Sequence, residues 1–487
     1  MDSIKKQTVK GVSWNAFGKF TNIGVSFIIG LVLARLLTPT DYGTLGVYGI
    51  FFAIANTFID SGFSSALIRK KDLTDVDCST VFYFNIALGI FFYIVFYLTS
   101  PLIADFFGIP ILKDIIKVTA INIVIGSFTA VQGTLYHKHV DFKTTSLVSI
   151  FCNITSGAVG IYMAYTGHGV WSLVYQGLVA SILRSFLLWY FSKWRPLLAF
   201  SKKSFNEMFS YGSKILAASL LTTLYFQGEK FAIGKFYSPR DLGLYTKGTN
   251  EASLFSSNIT TTLQSVTFPI LAKIQDDDER LVDVYKKYIK FTSMIIFFLM
   301  FLLVVLAKPL ILFLYTAKWS GAILFLQIVC FAFMFNHITR INLNLYYVKG
   351  RSDIVLRLEV IKRIISFSIL FASIPLGVLA ICLSRVVYTQ IALFINIYYT
   401  GKLYHYGYFK QWEDFGRYFV MAAISVTPAL LLSYLDLPNL AFLIIGAILS
   451  LTIYMSILFV TKDVIFHEYV WREITVRINT LKSKHNK

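Results

Sequence analysis

Nine basic side chains fall inside stretches otherwise apolar enough to sit in a bilayer: Lys19, Arg184, Lys214, Lys230, Lys247, Arg340, Lys362, Arg363 and Arg385. Four acids accompany them: Asp60, Glu229, Glu251 and Glu359. A charge near the bilayer centre costs about 2.5–3.5 kcal/mol on insertion scales, so each of these groups must meet a partner or a watery cavity. An excess of cations over anions of about two to one is the pattern of a cavity that receives an anion. Lys19, Arg184, Lys214, Lys230, Lys247, Arg340 and Arg385 are therefore the candidate anion-binding residues. Arg184 and Arg385 lie deepest, where snorkelling to the headgroups is hardest. Lys19 and Lys214 sit at similar depth in the first helix of each half of the chain, as a duplicated clamp would, although snorkelling explains that placement equally well.

Glu229, Glu251 and Asp60 are the candidates for coupling to a proton or sodium ion. Each also has a plainer reading. Lys247 and Glu251 are four apart on one helix face, the spacing of a local ion pair, and Glu229-Lys230 ends the neighbouring helix. Asp60 stands close to Gly62, where a helix end accounts for it. The polar run from Asn258 to Gln264, with Thr260, Thr261 and Thr262, makes a hydroxyl stripe suited to hydrogen-bonding a sugar or to close helix packing.

A short motif recurs: Thr38-Pro39-Thr40-Asp41-Tyr42-Gly43 returns as Ser238-Pro239-Arg240-Asp241-Leu242-Gly243. Each copy puts a hydroxyl at the helix N-cap, proline at the first helical position and a carboxylate at the third, which is helix-start chemistry. Thr38, Pro39, Asp41, Ser238, Pro239 and Asp241 are thus expected to cap helices, and Ser204-Phe205-Asn206-Glu207 repeats the logic. An even number of spans between the copies puts them on one face of the membrane, related by a pseudo-twofold axis along its normal.

These residues need long helices to hold them. Of 487 residues, 56% are hydrophobic and only 15% charged, with a mean hydropathy of +0.65 and a net charge of +19, far from a soluble domain. Apolar runs long enough to cross a bilayer recur near 12–36, 42–67, 79–104, 115–136, 144–166, 169–192, 208–236, 242–271, 289–315, 319–346, 354–375, 377–400, 417–435 and 438–461. The fold class is therefore an all-α polytopic membrane protein of about 14 transmembrane helices: two six-helix lobes related by pseudo-twofold symmetry, plus two C-terminal helices. The expected divisions are an N-lobe at 1–192, a cytoplasmic interfacial linker at 193–207, a C-lobe at 208–400, the extra helix pair at 401–461 and a basic amphipathic tail at 462–487. In the tail Phe466, Val470, Ile474, Ile478 and Leu481 recur at helical spacing, with Arg472, Arg477, Lys482 and Lys484 nearby.

Alternate loops from Arg69-Lys70-Lys71 onward, with both termini, hold about 29 of the 45 Lys and Arg, against about 7 in the opposite loops. Positive charge stays on the cytoplasmic side, so both termini are expected there. The first apolar run lacks a clear cleavage site and reads as a retained helix. Cys78, Cys152, Cys330 and Cys382 are scattered and the histidines dispersed, so no metal site, cofactor or disulfide framework is expected.

Several motifs resemble a known family, the polysaccharide-export branch of the multidrug/oligosaccharidyl-lipid/polysaccharide exporters, which includes the Wzx-type lipopolysaccharide, O-antigen and colanic acid flippases. The resemblance rests on Gly11-Val12-Ser13-Trp14-Asn15, on Ala34 to Gly43, on Asp60-Ser61-Gly62-Phe63-Ser64-Ser65-Ala66-Leu67-Ile68, and in the second half on the Ser238 motif, Tyr245-Thr246-Lys247-Gly248 and Phe268-Pro269-Ile270-Leu271. It implies a flippase, not an enzyme, moving undecaprenyl-pyrophosphate-linked oligosaccharide across the bacterial inner membrane by alternating access. The implied partners are that lipid-linked oligosaccharide, membrane lipid, and the polymerase and glycosyltransferases of the same pathway, with no nucleic acid. No family-wide catalytic residue carries over.

Three rivals remain at this stage. A multidrug or small-cation antiporter would hold acids in its cavity, whereas the intramembrane excess here is basic. A membrane glycosyltransferase, ligase or polymerase needs an acidic motif in an outer loop, and Asp41 and Asp241 are the only candidates there. A scaffold has little use for charge inside its spans.

Overall fold

The computed structural model describes residues 2–60, 62–472 and 475; the side chains of residues 2–13, 15, 257–259, 261–266, 268, 269 and 352 lie outside that description. Seventeen α-helices follow in order: α1 (Asp2–Leu36), α2 (Pro39–Asp60), α3 (Phe63–Arg69), α4 (Asp75–Phe107), α5 (Leu112–Thr119), α6 (Ile121–Lys138), α7 (Phe142–Tyr165), α8 (Trp171–Phe191), α9 (Lys202–Phe236), α10 (Pro239–Lys273), α11 (Asp278–Tyr315), α12 (Ala322–Met334), α13 (Asn336–Val348), α14 (Ser352–Ser373), α15 (Val378–Tyr404), α16 (Tyr408–Leu431) and α17 (Asn439–Val460). Counting the broken pairs α2/α3, α5/α6 and α12/α13 as single spans gives fourteen, and no strand occurs among the described residues. Eleven of these stretches are long and apolar enough to cross a membrane. The other three, α9, α10 and α14, are the helices that hold Lys214, Glu229 and Lys230, Lys247 and Glu251, and Glu359, Lys362 and Arg363. The protein is an all-α multi-pass membrane protein.

Helix starts follow local chemistry. Thr74 accepts a hydrogen bond from the Asp77 amide while Asp77 accepts from the Thr74 amide, a complete capping box for α4. Asp141, Ser201 and Asp277 each accept from the amide three residues on, at 3.1, 3.2 and 3.0 Å. Gly108 closes α4 in the left-handed region, at φ 66°.

The chain forms two compact units, Met1–Gly243 and Leu244–Lys487. This division falls later than the 193–207 segment suggested by sequence, because α9 lies against α2, α3 and α4 in the first unit. In that unit α1 packs along α7, with Ile29, Leu33 and Leu37 meeting Ala164 and Leu173. In the second unit α11 is the central helix, flanked by α12, α13, α16 and α17. The Phe297 ring stands in edge or tilted contact with Phe335, His337, Phe415 and Phe419. The C-terminal helix pair is fixed to this core: Tyr454 donates to the Met294 carbonyl at 2.7 Å and stacks on Phe298 at 4.6 Å. Beyond α17, Asp463 is buried, pairs with Arg417 at 3.1 Å and accepts from the Tyr418 hydroxyl and the Phe466 amide. Of the expected amphipathic tail, Ile474, Arg477, Ile478, Leu481, Lys482 and Lys484 lie outside the described residues.

Candidate functional site

The two copies of the duplicated motif meet within the first unit. Thr38 donates its amide and hydroxyl to Asp41 at 2.8 and 2.7 Å, and the Asp41 amide returns to the Thr38 hydroxyl at 3.3 Å. Ser238 and Asp241 exchange the same three bonds at 3.4, 2.6 and 3.1 Å. Each carboxylate is consumed by the start of its own helix and offers no acid–base group to a substrate. Asp41→Ala and Asp241→Ala are each expected to cost about 1 kcal/mol, read as a small fall in thermal stability.

The approach of the copies is tighter than any side chain allows. A Cβ on Gly43 would stand 1.6 Å from the Pro239 carbonyl oxygen, and one on Gly243 would stand 1.9 Å from that of Pro39. Only glycine at both positions lets the two backbones touch, and the contact is reciprocal, as a pseudo-twofold requires. Aromatic rings fill the space beside it: Phe107 lies edge-on to Phe51 and Phe231, and Lys235 caps the Phe106 ring at 3.9 Å. At the other end of α2 a second glycine pair, Gly62 and Gly212, brings α9 equally close, with a Gly62 Cβ falling 2.7 Å from the Gly212 carbonyl oxygen. Phe63, Phe205 and Phe209 stack there, and Lys70 ties Asp77 to Glu207 at 3.0 and 3.1 Å.

Between these two closures, α9 presents a groove of about 590 Å³ whose polar lining is Lys214, Ser219, Thr222 and Thr223. Lys214 is exposed. Thr223 shares a hydrogen bond with Thr57 of α2 at 2.9 Å, and Thr222 donates to its own helix at 2.9 Å, leaving each hydroxyl oxygen with acceptor capacity. Arg184 on α8 is exposed, as is Asp60 at the end of α2. Lys19 on α1 is likewise exposed. Glu229 and Lys230 are half-buried on α9 and engaged.

The second unit treats its charges differently. Lys247 is largely enclosed and Glu251 buried, their side chains 12% and 6% exposed, and they pair at 3.3 Å. The Tyr315 hydroxyl donates to Glu251 at 2.7 Å, and the Lys247 ammonium lies 3.7 Å over the Tyr315 ring with Trp319 at 6.0 Å. This is a closed, neutral assembly joining α10 to α11. Lys247, a candidate for an anion, and Glu251, a candidate for ion coupling, thus already have each other as partners. Glu359 takes Lys362 and Arg363, the latter at 3.0 Å. Arg385 donates to the Tyr245 hydroxyl at 3.1 Å and stacks 5.0 Å over Phe333, and Arg340 on α13 is exposed. Within the polar run of α10, Thr260 is buried and donates to the Ser256 carbonyl at 2.7 Å, whereas the side chains of Asn258, Thr261, Thr262 and Gln264 lie outside the described residues.

Of the residues lining this groove, sequence reasoning singled out Lys214 and not Ser219, Thr222 or Thr223. Their spacing at 219, 222 and 223 was the available signal. It was hidden because serine and threonine in membrane helices also serve packing.

Comparison with known proteins follows the same line. A family described as polysaccharide biosynthesis protein matches residues 32–324. The lipopolysaccharide biosynthesis protein WzxC of Escherichia coli K12 is 25% identical over 362 residues, 74% of each chain. The teichuronic acid biosynthesis protein TuaB of Bacillus subtilis 168 is 24% identical over 356 residues, 73% of this chain and 74% of its own. Among solved structures, the lipid II flippase MurJ in an inward closed conformation superposes with a TM-score of 0.75 at 16% identity, covering 91% of this chain and 98% of that one.

Proposed function

Because the chain belongs to the polysaccharide biosynthesis protein family, we propose that it is a flippase translocating polyprenyl-pyrophosphate-linked oligosaccharide across the membrane by alternating access. The observation that carries the reading is the α9 groove, an exposed lysine above three hydroxyls on a long helix of a membrane bundle. Leaving such groups unpacked at that depth is costly unless a polar substrate uses them. Lys214 meets the phosphate, and Ser219, Thr222 and Thr223 hydrogen-bond the sugars. Arg184 and Lys19 of the same unit, which also keep exposed positive charge, extend the phosphate-attracting surface, and arginine suits it through its bidentate fork. Asp60 and Glu229 are the candidates for ion coupling outside the Lys247–Glu251 pair. The setting is the bacterial inner membrane with both termini in the cytoplasm, upstream of the polymerase that consumes the flipped units.

Deletion of the protein from its host is expected to accumulate lipid-linked oligosaccharide on the inner leaflet. Wild type restores export; Lys214→Gln restores it about tenfold less well at equal expression, the worth of one charge-assisted hydrogen bond, and Lys214→Arg recovers most of it. Full export by Lys214→Gln would remove the groove from the mechanism.

A further inference from the structure

Away from the α9 groove, the first unit holds a cavity of about 660 Å³ walled by the α3–α4 turn, the α6–α7 turn and the chain after α8. Its cations are Lys71, Lys138, Lys193 and Arg195, against two carboxylates, Asp75 and Asp141. Asp141 is occupied in capping α7, accepting from the Thr144 amide and hydroxyl at 3.1 and 2.8 Å. Among the described residues none of the four cations forms an ion pair; the pair-forming lysine of this end is Lys70. Lys138 builds the wall, donating to the Leu67 and Lys70 carbonyls at 2.8 and 2.5 Å and so closing the end of α3. Arg195 lies 5.7 Å over the Trp189 ring and donates through Nη1 to the Ser192 and Trp194 carbonyls, which leaves other guanidinium N–H groups of its five for a ligand.

A second, independent observation points the same way. Tyr136 and Trp194 both line this cavity, and the Tyr136 hydroxyl and the Trp194 indole Nε1–H have no hydrogen-bond partner. A buried donor left unmet costs about 1–3 kcal/mol, which an acceptor bound in the cavity would recover. Uncompensated positive charge, two orphaned donors and a volume within the ordinary range of ligand sites together describe a pocket for a phosphate oxyanion. Basic pockets at the charged end of membrane helices take anionic lipid headgroups.

We propose that this cavity binds the phosphodiester headgroup of an anionic membrane phospholipid, with Lys71, Lys193 and Arg195 meeting the charge and Tyr136 and Trp194 donating to phosphate oxygens. The site shares no residue with the α9 groove.

Native mass spectrometry of the full-length detergent-purified protein tests it, with cardiolipin, phosphatidylglycerol and phosphatidylcholine offered in turn. Wild type is expected to retain the two anionic lipids in preference to phosphatidylcholine. Lys71→Gln combined with Lys193→Gln, both exposed positions, weakens that retention about tenfold, and Tyr136→Phe with Trp194→Phe weakens it several-fold without changing total charge. Equal retention by wild type and variants overturns the proposal. Displacement of cardiolipin by millimolar inorganic phosphate, or by polyprenyl pyrophosphate at equimolar amounts, also overturns it, since the site then takes a free anion or the carrier lipid.

Discussion

Glu251→Gln is expected to lower the thermal stability of the purified protein by several degrees, the largest single-residue effect in the second unit. The substitution keeps an acceptor for the Tyr315 hydroxyl but strips the charge that balances Lys247, whose side chain is 12% exposed and whose ammonium lies 3.7 Å over a tyrosine ring. Removing one partner of a buried pair costs about 3–5 kcal/mol, because the survivor is left as an uncompensated charge. Lys247→Met together with Glu251→Gln is expected to recover most of the loss, as the double change removes both charges at once. A thermal-shift series on wild type, Lys247→Met, Glu251→Gln and the double variant reads the coupling directly. If Glu251→Gln melts like wild type while losing export, the pair is a coupling device and not a structural one.

Gly43→Ala is expected to have the next largest effect. Its Cβ would stand 1.6 Å from the Pro239 carbonyl oxygen, when carbon and oxygen ordinarily approach no closer than about 3.3 Å. The obstacle is backbone, which cannot rotate away, so the two motif copies must separate; overpacking of this kind reaches about 3 kcal/mol. Both stability and export should fall, and Gly243→Ala should behave alike because its Cβ meets the Pro39 carbonyl oxygen at 1.9 Å. Gly49→Ala on the same α2 helix is the control, since its Cβ meets nothing within 4 Å, and it is expected to leave both readouts unchanged. Equal behaviour of the Gly43 and Gly49 variants would show that the motif contact is dispensable.

The helix count and the starts of α2 and α10 were legible because they depend on local signals: span length, apolarity, and a hydroxyl, proline and carboxylate within four residues. The breaks inside three spans were not. Ala120 favours helix, yet α5 ends beside it, where the Tyr48 hydroxyl donates at 2.9 Å to the Thr119 carbonyl from 71 residues away. No pattern in the local sequence announces such a contact. The same limit applies to charge. The spacing of Lys247 and Glu251 suggested a pair, but their enclosure by Tyr315 and Trp319 depends on α11 and the turn after it folding back onto α10. Lys214 has a sequence depth similar to that of Lys19 and lies three spans before Arg340, and nothing in residue type separates these exposed cations from the satisfied ones. Whether a cation is matched is decided by packing partners far along the chain.

The reading of the protein as a lipid-linked oligosaccharide flippase is tested most directly by reconstitution. Purified protein is placed in liposomes carrying a fluorescent polyprenyl-pyrophosphate oligosaccharide, and the fraction reaching the opposite leaflet is followed by quenching from outside. The account predicts translocation well above protein-free liposomes, slowed about tenfold by Lys214→Gln, the loss of one charge-assisted contact. Translocation no faster than in empty liposomes, from protein that is folded by thermal melting, would contradict it.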